Sequence, residues 1–242
     1  GLVMGILLGL GLAFLLDLVD NTLKSQEQIE ALLDVPFLGL LPLIEAGAKR
    51  THNKSEAIEA TRERDLYVMD HPKSPAAECA RFIRTNLLFM SPDRPLRSIV
   101  VTSPGPAEGK TTTAVSVAIA MAQTGNRTLI VDTDMRRPRL HRVFNVDSDV
   151  GLSSVIVGEA KLESAIRNTA VAGLDVLPCG PPPPNPQELL HAARFSQLLS
   201  DLATRYDRVI FDAPPVGPVA DPVVLGTQVD GVILVVKCEK TT

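Results

Sequence analysis

The chain has 242 residues, room for one α/β domain of about 150–200 residues and an additional segment. A net charge of −4 and a pI near 5.6 give no overall pull toward nucleic acid, which is excluded as an expected partner. Cys79, Cys179 and Cys238 stand 100 and 59 residues apart with no C-x-x-C pair, which argues against a zinc site or a disulfide framework and fits a reducing compartment.

The chain begins at Gly1 rather than Met, which points to a piece of a longer protein. Residues 1–16 carry no charge and no polar side chain, and Leu18 and Val19 close the run after Asp17. Sixteen helical residues cover about 24 Å, short of the roughly 20 residues that a bilayer core asks for. The glycines at 1, 5, 9 and 11 fit a membrane helix, where small residues allow close packing. Residues 1–19 are therefore read as the last part of a transmembrane helix. Residues 20–72 are read as a juxtamembrane segment: a helix over 22–33, an extended apolar patch bounded by Pro36 and Pro42, and a mobile, charge-dense linker over 45–64.

Ser74-Pro75 opens a helix, the serine as cap and the proline in the first turn. On it Glu78, Arg81 and Arg84 recur at i, i+3 and i+6, so Glu78 can pair with Arg81 while Arg84 points elsewhere. Strands then alternate with helices from Ser98 onward. Strands are expected over 98–102, 128–131, 174–177, 208–211 and 231–236, and helices over 109–124, 162–166 and 187–206. Short apolar strands between helices predict an α/β fold with a mostly parallel sheet covered on both faces, this domain occupying residues 73–242. The Gly180–Pro186 stretch reads as a stiff connector.

The loop after the first strand carries chemistry. Gly105-Pro106-Ala107-Glu108-Gly109-Lys110-Thr111-Thr112 sits between a strand and a helix, the context that makes a phosphate-binding loop. Pro104 stands where the first glycine of the strict pattern belongs, and Gly105 is expected to provide the turn instead. Gly109 lets the backbone approach phosphates, Lys110 reaches the β- and γ-phosphates, and Thr111 ligates Mg²⁺. The cofactors expected are ATP and Mg²⁺.

Two strands answer the loop with carboxylates. Asp132 and Asp134 are two residues apart at a strand end and so are expected on one side, one handling the metal and the other taking a proton. Asp212 ends the strand 208–211 and is expected to orient Mg²⁺. Arg136, Arg137 and Arg139 follow the first pair; solvated side chains, phosphate contacts and contacts to a neighbouring subunit all stay open for them. The four histidines have no ligand-like spacing and are expected at the surface.

These motifs together resemble the bacterial tyrosine kinases fused to a polysaccharide chain-length regulator, of the kind that accompanies capsule and exopolysaccharide export. Leu129–Arg136 is similar to that family's second Walker motif, Val209–Pro215 to its Walker B, and Glu78–Arg84 to its E-x-x-R-x-x-R oligomerisation helix. The resemblance implies a tyrosine (auto)kinase at the inner membrane, with Lys110, Asp132 and Asp134 catalytic, and Thr111, Asp132 and Asp212 at the metal. It also implies a ring of copies joined through Glu78, Arg81 and Arg84. Each copy phosphorylates a tyrosine-rich C-terminal tail of its neighbour, in association with the export machinery. The only tyrosines of this chain are Tyr67 and Tyr206, so that tail is not contained in it. The competing expectation is a partitioning-type ATPase. That class carries a lysine five positions before the loop lysine, where this chain has Gly105.

Overall fold

A computed structural model describes residues 1, 4–6, 9–11, 30, 34–44, 54–91 and 95–238. The chain divides into two units, residues 38–235 and residues 1–37 with 236–242. In the smaller unit, residues 4–6, 9–11 and 30 are helical. The remainder of the helices expected over 1–19 and 22–33 lies outside the described residues. Among the described residues no helix is long and apolar enough to cross a membrane.

The larger unit is built in chain order from α1 (Lys54–Asp70), α2 (Pro75–Phe89), β1 (Ser98–Thr102), α3 (Lys110–Ala122), β2 (Thr128–Asp132), α4 (Leu140–Phe144), α5 (Leu152–Val157), α6 (Leu162–Ala165), β3 (Arg167–Asn168), β4 (Leu174–Leu177), α7 (Pro186–His191), α8 (Ala193–Arg205), β5 (Arg208–Asp212), α9 (Asp221–Gly226) and β6 (Gly231–Leu234). The strands form one sheet in the order β3-β4-β2-β5-β1-β6. Every pairing is parallel except that of β3 with β4. The central strands are apolar at successive positions because both faces are covered. Ile99, Val101, Ile130 and Ile210 point to one face, under α1, α2 and α3. Val100, Leu129, Val131, Val209 and Phe211 point to the other, under α5 to α9.

The first difference from expectation concerns the supposed linker. Residues 54–70 form α1, and Leu66 and Val68 are buried in the core that also holds α2 and α3. The helix escapes a search for an apolar stripe because its buried positions are few and one of them is Asp65. Ser74 caps α2 as expected, its hydroxyl accepting from the amide of Ala77 at 3.2 Å. The extended patch is retained: the Leu38 carbonyl accepts from the side-chain amide of Asn86 at 2.9 Å.

The helix expected over 187–206 is two helices, α7 and α8, broken at Ala192 in an extended conformation (φ −66°, ψ 141°). The Gln228 side chain donates to the Leu190 carbonyl at 3.0 Å, taking an acceptor that helix continuation would use. The break carries no proline or glycine signal. The last strand ends at Leu234 rather than Val236.

If α1 is part of the folded unit, Leu66→Ala should lower unfolding stability by about 2–5 kcal/mol in urea titration, the cost of a cavity under a packed helix. A mobile segment would show no change.

Candidate active site

The phosphate loop leaves the buried β1, whose last four residues are inaccessible to solvent, and runs to Gly109. It is bonded to itself. The Ser103 hydroxyl donates to the Gly105 carbonyl at 2.7 Å, and the Gly105 amide donates to Glu108 Oε1 at 2.9 Å. The left-handed turns fall on Ala107 (φ 61°) and Gly109 (φ 96°), not on Gly105 as the sequence suggested. Gly105 lies close against Glu108: a Cβ there would stand 2.8 Å from Oε1, the movable end of that side chain. Gly109 is the residue before α3, and the Thr113 amide closes the first turn on its carbonyl at 2.8 Å. The first-turn amides of α3 have no partner within the helix, and that end of a helix favours an anion. The chain after β5 closes one side of the loop. Amides of Val216 and Gly217 donate to the carbonyls of Ser103 (2.9 Å) and Pro104 (3.0 Å).

Three carboxylates meet the loop. β5 lies between β1 and β2, and its last residue, Asp212, is in register with Asp132 of β2. Lys110 Nζ donates to Asp134 Oδ2 at 2.9 Å and lies 3.6 Å from Asp212 Oδ1. Asp134 lies beyond the end of β2, so strand parity does not place it. A turn does, with its Oδ1 accepting from the Arg137 amide at 3.0 Å. Asp132 Oδ2 accepts from the amides of Arg139 (2.8 Å) and Leu140 (2.9 Å) at the start of α4. Its Oδ1 and both oxygens of Asp212 are buried with no hydrogen-bond partner.

Electrostatics follow from this geometry. Burial, and then the charge of Asp212, push Asp132 up to about 7 despite the two amides that favour its charged form. Burial also raises Asp212, while Lys110 and the Thr111 hydroxyl temper the shift. Burial alone would lower Lys110, but Asp212 and Asp134 outweigh it and hold the ammonium above its ordinary value. The site therefore holds more carboxylate than cation, with Asp132 Oδ1 unpartnered and Asp212 facing only Lys110 and the Thr111 hydroxyl, and suits a divalent ion beside the loop. Among the described residues no group of three or more His, Cys, Asp or Glu side chains forms a complete metal cage. Mg²⁺ in such a site takes one or two protein oxygens and completes its shell with phosphate and water.

The arginines split three ways. Arg136 Nε and Nη2 donate to Asp221 Oδ2 (3.0 Å) and Oδ1 (3.3 Å), a bidentate pair with a buried carboxylate. Arg137 contributes its backbone, and Arg139 donates from Nη2 to Asp65. Asp65 and Asp221 were missed from sequence. Asp65 lay in the supposed juxtamembrane segment, just past its linker; Asp221, followed by Pro222, carried only a helix-start signal.

Farther from the loop, Glu78 and Arg81 pair as expected, Arg81 Nε donating to Oε2 at 3.2 Å. Arg84 points away and donates from Nη1 to the Ala120 carbonyl at 3.1 Å. Beside the pair lies a depression of about 500 Å³ lined in part by Leu40 and the exposed Phe82. His71 and His191 are exposed and His141 is half-buried, while His52 lies outside the described residues. Cys179 is buried, and burial with the charges of Asp132 and Asp134 pushes its thiol up to about 12.

Comparison with known proteins finds tyrosine-protein kinases among the relatives of this chain. The family model described as an AAA domain matches residues 97–242. The tyrosine-protein kinase YwqD of Bacillus subtilis (strain 168) is 42% identical over 179 residues, 74% of this chain and 76% of YwqD. The tyrosine-protein kinase ptk of Acinetobacter johnsonii is 33% identical over 233 residues, 96% of this chain but 31% of ptk. Among solved structures, the kinase domain of the Escherichia coli tyrosine kinase ETK superposes with a TM-score of 0.80 at 31% identity, covering 91% of this chain and 85% of that one. The chain thus spans about three quarters of the first relative and about a third of the second.

The raised carboxylates make a pH prediction. Asp132 holds its proton to about pH 7 in the folded protein and to about 3.8 when unfolded, so its contribution to stability falls as pH rises through that window. His141, lowered by burial, acts in the opposite sense, so wild type is compared with a variant. Between pH 5 and 7.5, without nucleotide or divalent ion, Asp132→Asn should gain stability relative to wild type. The gain is about 1.4 kcal/mol per pH unit at most, read from urea midpoints. An equal pH dependence in both proteins would contradict the raised value.

Proposed function

The chain belongs to the tyrosine-protein kinases built on an AAA-type phosphate-loop domain, and on that premise we propose how its residues divide the work of transfer from ATP to tyrosine. The loop amides of residues 105–112 cradle the phosphates. Lys110 exchanges Asp134 and Asp212 for the β- and γ-phosphates. Thr111 and Asp212 are the residues that would hold Mg²⁺, which when bound neutralises charge on the phosphate oxygens. Asp132 keeps one oxygen unpartnered and titrates near neutrality, which makes it the proton acceptor, with Asp134, released as Lys110 turns to the phosphates, beside it. The tyrosine oxygen bonds to the γ-phosphorus, the bond from that phosphorus to the β,γ-bridging oxygen breaks, ADP departs, and the phenolic proton passes to Asp132.

The single observation that carries this reading is the Lys110 ammonium set between Asp134 and Asp212 beside the unpartnered oxygen of Asp132. The biological setting is a further part of the proposal. Residues 1–19 end a membrane helix, the segment after them leads to a cytoplasmic kinase domain that takes in α1, and copies assemble through Glu78 and Arg81 into a ring. Within the ring each subunit presents a tyrosine-rich tail to the next, and phosphorylation regulates capsule or exopolysaccharide synthesis and export. The exposed Glu78–Arg81 pair and Phe82 support the contact. Arg84 serves it only indirectly, by joining α2 to α3.

Labelled ATP and a tyrosine copolymer test the chemistry. Wild type should form phosphotyrosine, and Lys110→Met and Asp132→Asn should lose at least about 100-fold of the rate. Equal transfer by all three sinks the assignment of residues. Free phosphate without phosphotyrosine would favour the partitioning-type ATPase. For the ring, light scattering of the assembled protein should report a lower mass for Arg81→Ala, and an unchanged mass removes that role.

A further inference from the structure

We propose that Asp65 is a positioning residue for phosphoryl transfer, tying the phosphate-loop helix to the segment that orients Asp132. Asp65 belongs to α1 and is completely buried. A buried carboxylate is costly unless paired and hydrogen-bonded, so where its partners lie is informative. One oxygen accepts from the Thr112 hydroxyl at 2.6 Å, and the other accepts from Nη2 of Arg139. Arg64, its chain neighbour, lies farther off at 3.8 Å.

Both arms end one step from the chemistry. Thr112 follows Thr111 in the first turn of α3. Arg139 holds Asp132 Oδ2 through its own amide, with Leu140 beside it. α1 grips α4 at a second point, Arg62 Nε donating to the Val143 carbonyl at 3.1 Å. A continuous chain of contacts therefore runs from the Asp65 carboxylate through the Arg139 guanidinium and amide to the Asp132 carboxylate, and by its other branch to Thr112. How α1 is seated sets where the unpartnered oxygen of Asp132 stands relative to the loop. Reacting groups must be held in near-attack geometry, and a small misplacement at a distance is enough to slow transfer.

The proposal rests on the kinase reading only for the choice of assay. Asp65→Asn keeps the shape and an acceptor for Thr112 but gives up the charge that holds Arg139; Arg139→Gln releases the same contact from its accessible end. Each should lower kcat for phosphotyrosine formation about 10- to 100-fold, with KM for ATP and the affinity for Mg·ADP unchanged. The double variant should be no slower than the slower single one, because both remove one link. Unchanged kcat with a lowered melting temperature would reduce Asp65 to a stabilising role, and multiplying losses would show that the two residues act separately; either overturns the proposal. If Asp65→Asn does not fold, Arg139→Gln decides it by the kcat-against-KM split. Should wild type yield free phosphate but no phosphotyrosine, the kinase reading fails by itself. The same variants are then read on ATP hydrolysis, where unchanged kcat again overturns the positioning role.

Discussion

One ammonium, Nζ of Lys110, stands against the carboxylates of Asp134 and Asp212 with Asp132 beside them, all three acidic residues nearly or wholly buried. Neither partner is tolerable alone. Without the carboxylates, burial would drive the lysine toward its neutral form; without the lysine, the carboxylates would repel one another in a medium that screens them poorly. The balance is left incomplete on the acidic side, and Asp132 and Asp212 show this in their raised proton affinity. A divalent ion bound with nucleotide phosphate would complete it, Asp212 and Thr111 holding the metal and phosphate replacing the carboxylates at the lysine. The protein at rest keeps Lys110 charged and in place through Asp134 and Asp212.

That exchange depends on three adjacent strand ends. β1 supplies the loop, β2 and its turn supply Asp132 and Asp134, and β5 between them supplies Asp212. The order places every charged group at the carboxyl end of a parallel sheet, where helix amino ends and loops converge. The segment after β5 then folds back on the loop. Gly217 comes so near Pro104 that a Cβ would stand 2.7 Å from its carbonyl oxygen. Close approach of backbone to backbone, rather than a side-chain clamp, keeps that side of the site in shape.

Much of this was legible in sequence because the signals were local and coincident. Apolar runs closed by aspartate marked β2 and β5, and a glycine-lysine turn between a strand and a helix marked the loop. What stayed hidden was tertiary. Asp65 reads as one more charge in a polar stretch, and only the burial of Leu66 and Val68 around it turns it inward. The loop's turn lies on Ala107 because the backbone is held by Glu108 and Ser103, whereas a glycine-based expectation selects Gly105. The break between α7 and α8 depends on Gln228, 38 residues from Leu190. For Asp65 and for the α7–α8 break a distant partner overrode a local preference, which a single sequence does not display; in the loop the override is a contact between near neighbours.

The register of β2 on β5 has one more consequence. Both strands are apolar on both faces, so a slip by one residue would still bury hydrocarbon and would meet little resistance from the hydrophobic pattern. It would, however, rotate Asp132 away from Asp212 and into the packed layer beneath the helices. Register therefore matters here less for the core than for the site: the apolar pattern tolerates either alignment, and only the observed one sets Asp132 opposite Asp212 beside the loop.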